Sequence, residues 1–136
     1  MISGTSSKWT QYYETSSSAE DAPMRSQAIV EITTTVESEP QANELARKLL
    51  DSKLAACIQV SGPIQSHYCW EGKVCETTEY RCVIKTVPAK QQATVDYLAS
   101  EHPYDVPEIL LVVKDANEAY ENWAREQTSS AASPTG

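Results

Sequence analysis

Around two prolines, seven residues place an imidazole, a phenol and carboxylates: His102-Pro103-Tyr104-Asp105-Val106-Pro107-Glu108. An imidazole can ligate a divalent cation or move a proton, and a nearby carboxylate can add an oxygen ligand. The prolines remove two backbone donors, fix two φ angles and push His102 and Val106 toward extended conformations. A helix-to-strand corner built this way suits a cleft, though it names no reaction. Two readings of His102 stand side by side. In one it binds a divalent cation with Glu108 as oxygen partner. In the other, which the sequence favours, it ends a helix, hydrogen-bonded to the corner, with its charge favoured by the helix C-terminus.

Other residue types also invite chemistry. Tyr68 and Trp70 lie two apart beside Gly72, so they can stack on a planar ligand or clamp a neighbouring subunit, packing being the simpler role. Glu79 and Lys85 share one strand face but lie about 20 Å apart along it, so each needs another partner. Lys85 also suits a small anionic ligand. Cysteines 57, 69, 75 and 82 form no Cys-x-x-Cys and no zinc-type pairing. Cys57, between Ala56 and Ile58, reads as a core strand residue before a metal ligand. Cys69 and Cys75 face each other across a three-residue hairpin loop, whereas a two-residue loop sets Cys69 against Val74.

The elements that must position these groups follow from pattern. Gln27–Val36 is rich in β-branched residues and reads as a strand. Ser38 is a candidate helix N-cap with Gln41 as its capping-box partner, and Pro40 is tolerated in the first turn. Ala42, Leu45, Ala46, Leu49 and Leu50 form one apolar stripe, with Glu44 and Lys48 paired on the other face. Leu54–Val60 reads as a strand, Ser61-Gly62-Pro63 as a bend or bulge, and Ile64–Trp70 as its extended continuation. Glu71-Gly72 marks a hairpin tip, and the return runs to Val87. Pro88 opens a helix ending near Glu101, with Val95, Leu98 and Ala99 inward. The unbroken apolar run Ile109–Val113 predicts a strand buried on both faces or central in its sheet. A last helix, Glu118–Gln127, docks through Ala119, Tyr120, Trp123 and Ala124.

This order predicts an α+β, ferredoxin-like βαββαβ sandwich with a long central hairpin and an extra C-terminal helix. Residues 1–26 and 129–136 are expected to be disordered, leaving 27–128 as the one folding unit. Two helices cover one sheet face, and association with copies of the same chain would cover the other.

The chain has 136 residues and a net charge of −8. So acidic a surface repels phosphate backbones, which argues against nucleic acid and suits cations. No apolar window approaches a membrane span, and the N-terminal residues lack a secretory pattern, so the expectation is a cytoplasmic protein with reduced thiols and no membrane partner. The acidic loop Glu37-Ser38-Glu39-Pro40 argues against acyl-phosphate chemistry. Only four glycines occur, with no phosphate-cradling loop.

Leu54-Ala55-Ala56-Cys57, Ser66-x-Tyr68-x-Trp70-x-Gly72, Glu79 followed by Lys85-Thr86, His102-Pro103-Tyr104-x-x-Pro107-Glu108 and Tyr120-x-x-Trp123 occur in that order. In these the chain resembles the CutA family of divalent-cation tolerance proteins across residues 28–124. The resemblance implies an interlocked homotrimer related in build to PII signalling proteins, no enzymatic reaction and no required cofactor. Copper(II) or another divalent cation is the implied ligand, and a PII-like small-molecule sensor is the alternative. It also implies that Tyr68, Trp70, Glu79, Lys85 and Tyr104 lie near inter-subunit clefts, with His102, Glu108 and Cys57 as candidate metal ligands. Thr34 stands where some bacterial relatives carry a copper-binding cysteine, and Arg81 where the family is usually apolar.

Overall fold

The computed structural model describes residues 27–129. The disorder expected for residues 1–26 and for the tail from 130 lies outside the described residues. In chain order the elements are β1 (Ala28–Val36), α1 (Glu39–Asp51), β2 (Cys57–Trp70), β3 (Lys73–Thr86), a 3₁₀ turn (Pro88–Lys90), α2 (Gln91–Glu101), β4 (Leu110–Asp115) and α3 (Glu118–Gln127). The strands form one antiparallel sheet in the order β2-β3-β1-β4. This is the expected ferredoxin-like α+β arrangement, with β1 and β3 central.

Strand alternation sorts the sheet into two faces. Val30 and Ile32 of β1 and Ile84 of β3 point one way and pack with Leu49 of α1, Leu98 of α2 and Ala55. Each is at most 1% exposed, and full burial of such a side chain is worth about 1.5–3 kcal/mol. Val36, Cys82 and Ala42 extend this core toward the start of α1. Glu31, Thr33 and Thr35 take the opposite face with Arg81, Val83 and Lys85.

α1 starts where its cap residues predict. The Gln41 N–H donates to Ser38 Oγ at 3.3 Å, while Gln41 Oε1 accepts from the Glu37 N–H at 3.2 Å, one residue before the usual capping-box return. Its end carries no glycine signal, because Lys53 adopts the left-handed conformation itself (φ 60°). The Lys53 and Leu54 N–H groups donate to the Leu50 and Leu49 carbonyls, closing a Schellman motif. Glu44 and Lys48 pair at 3.4 Å on the solvent side, as their spacing predicts.

β2 is one continuous strand, and the expected Ser61-Gly62-Pro63 irregularity sits inside it as a register shift between Ser61 and Ile64. Glycine is required there. Gly62 has φ +149°, and a Cβ would lie 2.7 Å from Tyr80 Cδ2 and 3.0 Å from the Glu79 carbonyl. At the tip, Glu71 and Gly72 both have positive φ, the signature of a two-residue hairpin loop. Cys69 therefore opposes Val74, and Cys75 opposes Tyr68. The two thiols lie on opposite faces of the hairpin, so the three-residue-loop alternative is removed.

Three packing expectations need correction. β4 is an edge strand, neither central nor buried on both faces: Leu110, Leu111, Val112 and Val113 are 60, 42, 49 and 43% exposed. In α2, Ala99 is exposed, and buried Thr94 takes the inward place. In α3, Ala119 and Trp123 are exposed, while Glu121 and Ala124, and Thr128 at its C-cap, are buried. α3 packs Ala124 and Tyr120 over Ile29, Ala56 and Val87. Ile29 belongs to the sheet face opposite Val30, so α3 covers one corner of the face that α1 and α2 leave open. Among the described residues, no helix is long and apolar enough to cross a membrane.

Candidate functional site

The proline corner after α2 folds back over the end of β1. The His102 N–H continues α2 by donating to the Leu98 carbonyl at 3.0 Å, but ψ of 140° ends the helix there. The ring then reaches the central strand. His102 Nε2 lies 3.0 Å from the Thr35 carbonyl and 2.9 Å from Thr34 Oγ1, and Nδ1 accepts from the Tyr104 N–H at 3.1 Å. An accepting Nδ1 and a carbonyl at Nε2 describe a neutral ring protonated on Nε2. Burial lowers the His102 pKa from its ordinary 6.5, against the Thr35 carbonyl and Glu79, which both favour the charged form. The helix-ending reading gains its hydrogen bonds, therefore, but not the charged ring it expected.

Tyr104 packs beside this imidazole, ring centroids 4.9 Å apart, and sends its hydroxyl to Glu79 Oε2 at 2.9 Å. Glu79 also accepts from Ser66 Oγ at 2.5 Å and Thr35 Oγ1 at 3.2 Å. One carboxylate on β3 thus holds hydroxyls from β1, β2 and the corner. Burial, followed by Glu79, raises the Tyr104 pKa, so this residue is a phenol donor rather than a phenolate.

Beyond this node, the hairpin and corner enclose a groove of about 300 Å³. Tyr68, Trp70 and Tyr104 supply its rings, Glu37 and Asp105 its carboxylates, and Cys75 and Thr77 part of its wall. Thr77 Oγ1 lies 3.4 Å from the Tyr68 hydroxyl across the hairpin.

Lys85 and Cys57 lie away from this cluster, opposite each other in the β2–β3 register. Glu31 receives Lys85 at 3.9 Å and Lys114 at 2.9 Å. Thus Glu79 and Lys85 find separate partners within the chain. Tyr120 from α3 adjoins Cys57; burial, then this thiol, raises the Tyr120 pKa. Glu108 is exposed just before β4. Among the described residues, no three His, Cys, Asp or Glu side chains converge to hold a metal ion. His102, Tyr104 and Glu79 are brought together; Tyr68 and Trp70 meet Tyr104 in the groove; Cys57, Lys85 and Glu108 stand apart.

Sequence reasoning missed Thr34, Thr35 and Ser66 as hydrogen-bonding partners, because a Thr33-Thr34-Thr35 run reads first as β-propensity. It also missed Glu37 and Asp105 as groove walls. A usable signal was present, since Asp105 lies next to Tyr104 in the corner already singled out.

Comparisons with known proteins point one way. Residues 30–127 match the family model described as CutA1 divalent ion tolerance protein. The divalent-cation tolerance protein CutA of Salmonella newport (strain SL254) is 40% identical over 90 residues, 65% of this chain and 78% of its own length. Human Protein CutA is 38% identical over 97 residues, 71% of this chain and 54% of its own length. The chain thus spans about half the length of the vertebrate relatives it matches. The solved structure of CutA from Synechococcus elongatus PCC7942 superposes with a TM-score of 0.72 at 36% identity, covering 76% of this chain and 92% of that one. With sequence and fold in agreement over most of the chain, this protein belongs to the CutA1 divalent ion tolerance family.

Proposed function

We propose that this protein works as a homotrimeric divalent-cation tolerance protein, a cytoplasmic, non-enzymatic assembly that weakly binds copper(II) or another divalent cation at seams between copies. The observation that carries the assembly is β4. An edge strand with apolar residues exposed on both faces is an aggregation hazard unless something pairs with it. Its four apolar side chains are already about half covered, so burying the remainder is worth about 1 kcal/mol each. Copies of the chain can do this symmetrically, and threefold closure is what the family resemblance implies. The names of relatives describe tolerance of divalent cations rather than a reaction.

A charge of −8 attracts cations. Among the described residues of one copy, however, both His102 nitrogens are engaged and no donor trio converges. Cation binding therefore belongs between copies, with His102 and Glu108 contributing only if the corner yields a hydrogen bond. The PII-like alternative has less support: the two glycines among the described residues sit at the bulge and the hairpin tip, not in a phosphate-cradling loop. Light scattering at micromolar concentration should give three times the 15.0 kDa chain mass. Calorimetric titration with copper(II), zinc and magnesium should then show weak, saturable heat. A stable monomer would remove the assembly, and heat no greater than that of a composition-matched acidic control would remove cation binding.

A further inference from the structure

The hairpin arm has two faces, and only one of them turns toward the groove. Strand alternation sends Tyr68, Trp70, Cys75 and Thr77 to that side. The other side carries His67, Cys69, Val74 and Glu76. His67 stands directly opposite Glu76, with Nε2 3.7 Å from Oε2. Cys69 comes next on that face of β2, opposite Val74. An imidazole, a thiol and a carboxylate thus take three corners of one patch, and the fourth is apolar. The His67 and Glu76 side chains are 65 and 61% exposed in the chain, and Cys69 is an exposed free thiol. The adjoining pair on this face is satisfied within itself, because the Thr78 hydroxyl donates to Gln65 Oε1 at 3.4 Å.

We propose that His67, Cys69 and Glu76 form a surface site for a zinc-like divalent cation. Nitrogen and oxygen ligands of tetrahedral zinc stand about 3.4 Å apart, so the His67–Glu76 pair is within a few tenths of an ångström of bridging one ion. The three donors do not meet at one point in this structure. Cys69 closes the set by turning its side chain, since its Cα lies about 7 Å from that of His67 along the strand and nothing buries it. Three protein donors and one water then complete a tetrahedron. On binding, the thiol gives its proton to solvent, so sulfur ligates as thiolate. This donor set selects a borderline ion over magnesium, which takes six oxygens in an octahedron. The two-residue turn at Glu71-Gly72 fixes the register that sets His67 against Glu76. Exposed donors that must still converge give modest affinity, with a dissociation constant of about 10 μM. The site deepens the divalent-cation reading by supplying a thiolate. It lies within one chain, on the face of the arm opposite Tyr68 and Trp70, and does not draw on the seams between copies.

The test is a titration of the full chain, kept reduced with a phosphine, with cobalt(II) chloride as the spectroscopic stand-in for zinc. A sulfur-to-cobalt charge-transfer band and the strong visible bands of tetrahedral cobalt should appear, saturate at one cobalt per chain, and vanish when zinc sulfate is added. Cys69→Ser should abolish the charge-transfer band. His67→Ala should weaken cobalt binding at least about tenfold, and Glu76→Gln about threefold or more. All three side chains lie outside the core, so these variants keep the fold. Val112→Glu, altered only on β4, should give the parent's spectrum, which separates this site from the assembly. The proposal is overturned by no charge-transfer band at about 1 mM cobalt, by a band that survives Cys69→Ser, by unchanged affinity in His67→Ala or Glu76→Gln, or by loss of the band in Val112→Glu. Saturable calorimetric heat without a thiolate band would sink this site and leave cation binding at the seams standing.

Discussion

Glu79 accepts hydrogen bonds from Ser66, Thr35 and Tyr104, hydroxyls carried by three separate segments. Hydrogen bonds to a charged acceptor are stronger than neutral ones, and removing the acceptor strands its donors. Glu79→Ala should therefore cost about 2–3 kcal/mol and Glu79→Gln about half as much, read from urea midpoints. His102 gives a pH prediction. Because burial depresses its pKa in the folded state, the unfolded chain binds the proton more readily. Stability is then full above the ordinary value of 6.5 and declines as pH falls from there through the lower folded value. Protonation would also take Nδ1 from the Tyr104 N–H. The thermal midpoint should drop between about pH 7 and pH 5, and His102→Gln should flatten that slope. At this scale the sequence made the corner legible by its prolines and ring types. It did not reveal that both imidazole nitrogens are occupied, because Thr34 and Thr35 are 67 or more residues away.

The Leu54 carbonyl joins three elements by accepting from Thr86 Oγ1 at 2.7 Å and from Thr94 Oγ1 at 3.0 Å, the latter sharing its single proton with the Lys90 carbonyl at 2.8 Å. Thr86 ends β3, Thr94 sits in α2, and Leu54 leads into β2. Either Thr→Val change leaves the carbonyl one partner, so each should cost about 1 kcal/mol. The double variant should cost more than the sum, since the carbonyl then loses both hydroxyls. A double-mutant cycle in denaturant that proves additive would contradict this account. α1 was legible because its cap and its apolar spacing agree, and the hairpin tip because Glu71-Gly72 is flanked by alternating strands. Thr94 was not, since a hydroxyl inside an amphipathic helix reads as surface unless the facing carbonyl is known. β4 was misplaced for a different reason. A run of apolar residues of both parities signals burial, but not whether a chain's own core or another copy supplies it.

At the scale of the whole molecule, α1 and α2 cover one sheet face, α3 covers a corner of the other, and β4 stays uncovered. Placing a charge on that edge should break the proposed assembly without unfolding the chain, because the core residues lie elsewhere. Val112→Glu should lower the mass seen by light scattering from three times 15.0 kDa to that of one chain, while circular dichroism stays unchanged. A Val112→Glu protein that remains trimeric would move the interface away from β4. The same bare border has a bearing on turnover. A freshly synthesised copy that meets no fellow keeps on display the kind of sticky strand that degradation machinery engages, so cellular supply would be trimmed to what assembles. Pulse–chase lifetimes should then be shorter for Val112→Glu than for the parent, although each folded copy has the same interior.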